Sequence, residues 1–194
     1  ANDNFTFVAA PAIASVSPSS GPTSGGTSVV ITGTDFTGVT SVSFGGTAAS
    51  SYTVDSATQI TATSPAAAAG QVDIAVTATG GISANTINDN FTYVAAPAIA
   101  SVSPNTGPTA GGTSVVISGT DFTGVSAVSF GGTAASGFTV DSATQITATS
   151  PAGAAGQVDI AVTAIGGSSA NTANDNFTYV AAPAITSLSA SSGP

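Results

Sequence analysis

Nine aspartates are the only side chains in these 194 residues that carry charge near neutral pH; Lys, Arg, His, Glu and Cys are all absent. Paired carboxylates run acid–base chemistry when one is held protonated, and larger groups of them hold hard cations such as calcium. Asp35 and Asp55 open the stretches DFTG (35–38) and DSAT (55–58), and neither carries a protease or glycosidase motif. No His, Cys, Lys or Glu is present to move a proton or attack as an activated nucleophile. In such contexts Asp forms turns by bonding its own backbone. The sequence is therefore read as that of a protein that is not an enzyme.

The same alphabet removes other classes of function. Phosphate recognition depends on Lys and Arg, so no nucleic-acid partner is expected, and an anionic membrane surface is equally unattractive. Without cysteine there is no disulfide and no thiolate metal site. No apolar run approaches the roughly 20 residues of a membrane helix, so no membrane insertion is expected. Stability must come from apolar burial and backbone hydrogen bonds. The abundance of Val, Ile and Thr marks a folding chain and not a disordered linker.

The elements that must position these residues recur. Residues 11–96 and 97–182 align without a gap and differ at 12 positions. NDNFTFV (2–8) returns as NDNFTYV at 88–94 and 174–180, and PAITSLSASSGP (183–194) restarts the unit. The expected organisation is a window on a longer tandem array. Residues 1–10 are the last strand of a preceding repeat plus linker, 11–96 and 97–182 are two whole domains, and 183–194 begin a following one. Within the first unit, strands are expected at 11–18, 27–33 and 41–46, twice within 51–65 with a joint at Asp55–Thr58, and at 71–78 and 90–94. QVDIAVTA (71–78) is the cleanest alternation, with Val72, Ile74 and Val76 inward and Asp73 and Thr77 outward. Seven strands in 86 residues, with no helical period, predict an all-β chain of tandem immunoglobulin-like antiparallel β-sandwiches. A repeat of this length holds a self-sufficient core, which disfavours a solenoid.

PAIASVSPSSGPTSGGTSVVITGTDF, followed by SVSFGGTAA, SATQITATSP, QVDIAVTA and FTYV, resembles the IPT/TIG domain. The resemblance covers both full units and both partial ones. It implies a seven-strand immunoglobulin-like sandwich of the kind found in plexin ectodomains, in Rel-type transcription factors and as tandem spacers of bacterial surface proteins. The transcription-factor role uses basic loop residues that this chain lacks. What the resemblance implies is a bacterial or archaeal repeat protein that is extracellular or at the cell surface.

With that topology, the turns holding Asp35, Asp55 and the Asn88–Asp89–Asn90 run lie at one pole, and Asp121, Asp141 and Asn174–Asp175–Asn176 repeat them. These six aspartates are the calcium candidates, although no D-x-D-x-D loop is present and capping of turns needs no metal. No other cofactor is expected. The aromatics Phe36, Phe44, Tyr52, Phe91 and Tyr93 and their copies are read as core and not as sugar platforms. The sequons at Asn4, Asn90 and Asn176 are one motif copied by the repeat.

The linker AAPAI (95–99, 181–185) is short, lacks Gly and is stiffened by Pro97 or Pro183. In a seven-strand sandwich the first and last strands run the same way, so units are expected to be arranged end to end. The leading expectation is a structural extracellular protein forming a semi-rigid rod, stalk or surface fibre, with neighbouring copies as partners and self-assembly into a filament as a variant. The alternative is an adhesin-type binding module using the loop 77–89 and its copy 163–175. Three of the 12 differences fall there: Thr79/Ile165, Ile82/Ser168 and Ile87/Ala173.

Overall fold

A computed structural model describes residues 7–187, so most of the first partial strand and the end of the last partial repeat, with the sequon at Asn4, lie outside the described residues. The chain divides into two compact units. The first runs to Ala96 and also takes in Ile165–Gly167; the second is the remainder from Pro97 onward.

Strands in the first unit are β1 (Ala12–Ser17), β2 (Ser20–Pro22), β3 (Ser28–Thr34), β4 (Ser41–Phe44) and β5 (Thr47–Ala48). They continue as β6 (Ser51–Ser56), β7 (Gln59–Thr63), β8 (Gly70–Ala78), β9 (Gly81–Ile82) and β10 (Asn90–Val94), with a 3-10 turn at Ile87–Asp89. The second unit repeats all ten strands, from β11 (Ala98–Ser103) to β20 (Asn176–Val180). One sheet has the order β1-β3-β7-β6; the other has β2-β10-β8-β4-β5, with β9 alongside β8. The seven expected strands are all present as the long members of these sheets. Pairing among the described strands is antiparallel except between β2 and β10, which run parallel with Thr92 opposite Ser20 and Val94 opposite Pro22, and between their copies β12 and β20. The fold is thus a tandem pair of immunoglobulin-like sandwiches.

Alternation fills the space between the sheets. Val29, Ile31, Ile60 and Ala62 face Val42, Phe44, Ile74, Val76, Phe91 and Tyr93, with Phe36 supplied by the turn after β3. Phe91 stands edge-on to both Phe44 and Tyr93, at centroid distances of 5.3 and 5.1 Å, the arrangement favoured by the ring quadrupoles. The second unit builds the same core from its own residues. Along β1 the pairing register slips between Ile13 and Ser15, so Ile13 and Val16, three residues apart, both reach the core.

Two expectations are corrected. Tyr52 is not a core aromatic: it is 37% exposed, as is Phe138 at the same place in the second unit. Both lie on an edge strand whose six residues are all exposed. An alternating pattern gives a side chain its face of the sheet, but an edge strand extends past the opposing sheet that would cover it. The stretch 77–89 is likewise not one long loop. Thr77 and Ala78 end β8, pair with Ile82 and Gly81, and so close a tight hairpin before the chain turns away.

Candidate functional site

Both units carry a notch on the outer face of β8, between that strand, the β4–β5 turn and the segment after β9. In the first unit it encloses about 340 Å³ and is lined by residues that include Ser43, Gly45, Asp73, Ser83, Asn85 and Asp89. In the second it encloses about 290 Å³, with Ser129, Gly131, Asp159, Ser169 and Asn171 in the same places.

Local chemistry builds this notch. Gly45 and Gly46 both take left-handed φ values, 56° and 84°, which suits a two-residue hairpin turn. A Cβ on Gly45 would stand 2.9 Å from the Val72 side chain, so glycine lets this turn close over β8. The Gly45 N–H donates to the Asp73 carbonyl at 2.8 Å. Asp73 follows Val72 and precedes Ile74, so period-2 geometry turns its carboxylate outward, opposite Asn90 of β10. Opposite the turn, Ser83 closes the β8–β9 hairpin. Its N–H donates to the Val76 carbonyl at 2.9 Å, and its hydroxyl accepts from the Val76 N–H at 3.1 Å. The chain then passes Asn85, whose amide donates to the Asp73 carboxylate, and enters the 3-10 turn.

That turn starts with a capping box. The Thr86 hydroxyl accepts from the Asn88 N–H at 3.2 Å, and the Asp89 carboxylate accepts from the Thr86 N–H at 3.0 Å through Oδ2. Asp89 is fully buried, and its other oxygen, Oδ1, has no hydrogen-bond partner. Asp175 repeats every part of this: buried, bonded through Oδ2 to the Thr172 N–H at 2.9 Å, with Oδ1 unpartnered.

The other calcium candidates stand elsewhere. Asp35 and Asp121 are exposed turn residues with φ near +60°, a conformation that Asp tolerates better than most side chains. The Asp55 carboxylate lies on the solvent side of the β6–β7 pair and accepts from Gln59 at 3.2 Å and from the Thr61 hydroxyl at 2.7 Å; Asp141 accepts from Thr147 in the same way. Among the described residues, no three His, Cys, Asp or Glu side chains converge to hold a metal ion. The structure brings Asp89 together with Asp73 and Asn85, not with Asp35 and Asp55. The sequence reading passed over Asp73 and Asn85, although an Asp in the middle of a β-branched strand is itself a signal, because strands are depleted in it.

The loop's apolar residues are solvent-facing. Ile82 is 63% and Ile87 85% exposed, and the second unit has Ser168 and Ala173 there. Among the described residues no helix is long and apolar enough to cross a membrane.

Paired sheets in this order, closed by a first edge that runs parallel to the last strand, define the chain as tandem immunoglobulin-like modules. The IPT/TIG domain family matches residues 11–93 and 97–179, and the chain belongs to that family. Similar solved structures include the plexin A4 extracellular region, domains 1 to 10. It shares 22% identity at a TM-score of 0.55, over 97% of this chain and 17% of that one. The chain spans less than a fifth of the plexin chains, and the likeness is one of fold. Weaker likenesses reach SGBP-B from a xyloglucan utilization locus of Bacteroides uniformis (24% identity, TM-score 0.37, 82% of this chain and 48% of that one) and Yersinia pseudotuberculosis InvD (17%, 0.34, 93% and 60%). No curated protein matches.

Proposed function

We propose that this chain is a non-catalytic structural element of an extracellular or cell-surface protein, in which repetition of one domain makes a semi-rigid rod, stalk or fibre. The observation that supports this reading best is the parallel pairing of β2 with β10. β2, which follows the entering strand β1, runs in the same direction as the last strand, β10, the arrangement that end-to-end units would use. The join between units is AAPAI, which has no glycine and contains Pro97. The chain entering the first unit is also held: Gly80 lies so close to it that a Cβ would come within 1.9 Å of the Ala9 carbonyl oxygen. Exposed faces are built mostly of Ser, Thr and Ala, and the absence of Lys and Arg leaves no trypsin site.

Solution scattering from arrays of two, four and six units tests the proposal. A rod gives a maximum dimension that grows in proportion to unit number. Growth with the square root of unit number, as for a flexible tether, would refute it. A second reading, an adhesin-type module, draws support from Ile82 and Ile87, exposed apolar residues at which the two units differ. Lateral assembly of neighbouring copies into a filament is the variant of the first reading that electron microscopy of native surface material would reveal as multi-chain fibres with helical symmetry.

A further inference from the structure

We propose that the notch on the outer face of each unit binds a divalent cation of the calcium class. Its ligands in the first unit are the Asp73 and Asp89 carboxylates and the Asn85 side-chain oxygen; in the second they are Asp159, Asp175 and Asn171. The proposal stands apart from the spacer reading and does not depend on it.

A carboxylate out of contact with water is costly unless it is paired or fully hydrogen-bonded. Asp89 is wholly buried, lines the notch, and has one oxygen satisfied by Thr86 and one without a partner. This chain contains no Lys, Arg or His, so no residue of its own can supply the missing positive charge. A second carboxylate, Asp73, lines the same notch from the strand paired with the one that follows Asp89. Asn85 already touches it through its amide, and rotation of that amide about its last bond presents oxygen in place of nitrogen. Two carboxylates and an amide are hard oxygen ligands, completed by water around an ion that accepts 6–8 of them. The lack of thiol and imidazole excludes the softer transition metals.

The second unit repeats these residues: Asp159 and Asn171 line its notch, while Asp175 is buried and is not among the residues that line it. The unit's 12 differences include Ile82/Ser168 in the notch wall and Ile87/Ala173 in the turn, yet leave Asp73/Asp159, Asn85/Asn171, Thr86/Thr172, Asp89/Asp175 and the Gly-Gly turn untouched. Asp175 again has an unpartnered, buried Oδ1, and Asn171 again donates to Asp159.

Calorimetric titration and thermal unfolding of the full chain, stripped with chelator and held at constant ionic strength with NaCl, test the site. Two calcium ions should bind per chain with Kd of about 10⁻⁴–10⁻³ M, the range of extracellular modules. At about ten times Kd the unfolding temperature should rise by about 6–11 °C. Asp73→Asn should leave one ion bound, and Asp73→Asn with Asp159→Asn none. Asp55→Asn removes the same charge from outside the notch and should leave both. Circular dichroism in chelator establishes that each variant folds, and Asn85→Ala, in an exposed position, gives the same loss by a second route. Absence of calcium heat up to about 10 mM would overturn the proposal. So would equal losses in Asp55→Asn and Asp73→Asn, which would assign the effect to screening of the net charge of −9.

Discussion

The two copies of the domain contain an experiment already half done. In the second, the Tyr179 hydroxyl donates to the Pro151 carbonyl at 2.8 Å; in the first, the Tyr93 hydroxyl makes no such bond and has only the Ser64 side chain close by. The nearby difference is Ala67 in the first unit and Gly153 in the second. A Cβ on Gly153 would stand 2.7 Å from the Tyr179 ring, so a methyl group there must push the ring aside and take the hydroxyl away from the carbonyl. Gly153→Ala should therefore destabilise the second unit. Leaving a buried hydroxyl unsatisfied costs about 1–3 kcal/mol. The reduced backbone freedom of the unfolded chain returns about 0.4–1 kcal/mol, for a net loss of about 1–2 kcal/mol. Urea unfolding of the full chain, followed by far-UV circular dichroism, reads this directly, and does so equally in variants that lack Tyr179, the second unit's one tyrosine. With a slope of about 1 kcal/mol per molar for a domain this small, the second unit's midpoint should fall by about 1–2 M. Ala67→Gly in the first unit should move its midpoint upward. Gly153→Ala in a Tyr179→Phe background should lose most of its cost, because no hydroxyl remains to be orphaned. Unconstrained Gly→Ala replacement is stabilising, so the sign alone decides. A midpoint that rises, or a cost unchanged in the Tyr179→Phe background, would refute the packing argument.

Three further outcomes follow from the same structure. Burial raises the pKa of Tyr93 and Tyr179 above the usual value of 10.0, with Ser64 near enough to Tyr93 to offset part of that rise. The native state then keeps protons that the unfolded chain releases, so stability should hold below pH 10 and fall as pH rises beyond it, as a urea series across alkaline pH would record. Phe91→Ala removes the ring at the centre of the aromatic trio and should cost about 3–5 kcal/mol by denaturant titration, enough to unfold the first unit at room temperature if its stability lies at the low end for small domains. Tyr52→Phe, which installs the second unit's residue on the exposed edge strand, should change stability by less than about 0.5 kcal/mol; a larger change would place Tyr52 in the core after all.

The long strands and their inward residues were legible because Val, Ile and Phe alternate over several residues, and burial then follows from which face meets the other sheet. Ile74, Val76, Phe91 and Tyr93 were readable in this way. Strands of two or three residues were not, because β2, β5 and β9 are too short to show a period and form only where a neighbour offers a partner. Tyr52 was misread for a related reason: alternation gives the face but not whether the strand lies at the edge. The candidate site was half visible. Asp89 stood out in its Asn-Asp-Asn run, yet its partners were sought among turns at one pole. Its neighbour Asp73 lies in mid-strand, and only the register of β8 against β10 places the two side by side.

The parallel pairing of β2 and β10 also governs how a unit responds to force. Once a pull on the two ends of a domain has passed β1, which pairs only with β3, it loads β2 and the last strand, β10, in opposite directions along their own length. The bonds across Ser20–Pro22 and Thr92–Val94, together with those from Thr92 N–H to Ser19 and from Thr23 N–H to Val94, then lie across the pull and share it in shear. They must yield together, whereas an antiparallel hairpin pulled from its open end would unzip one bond at a time. Each domain so built is a small tensile clamp, and the proposed array of them would fail one clamp at a time, giving slack in domain-sized steps while its remaining units stay folded.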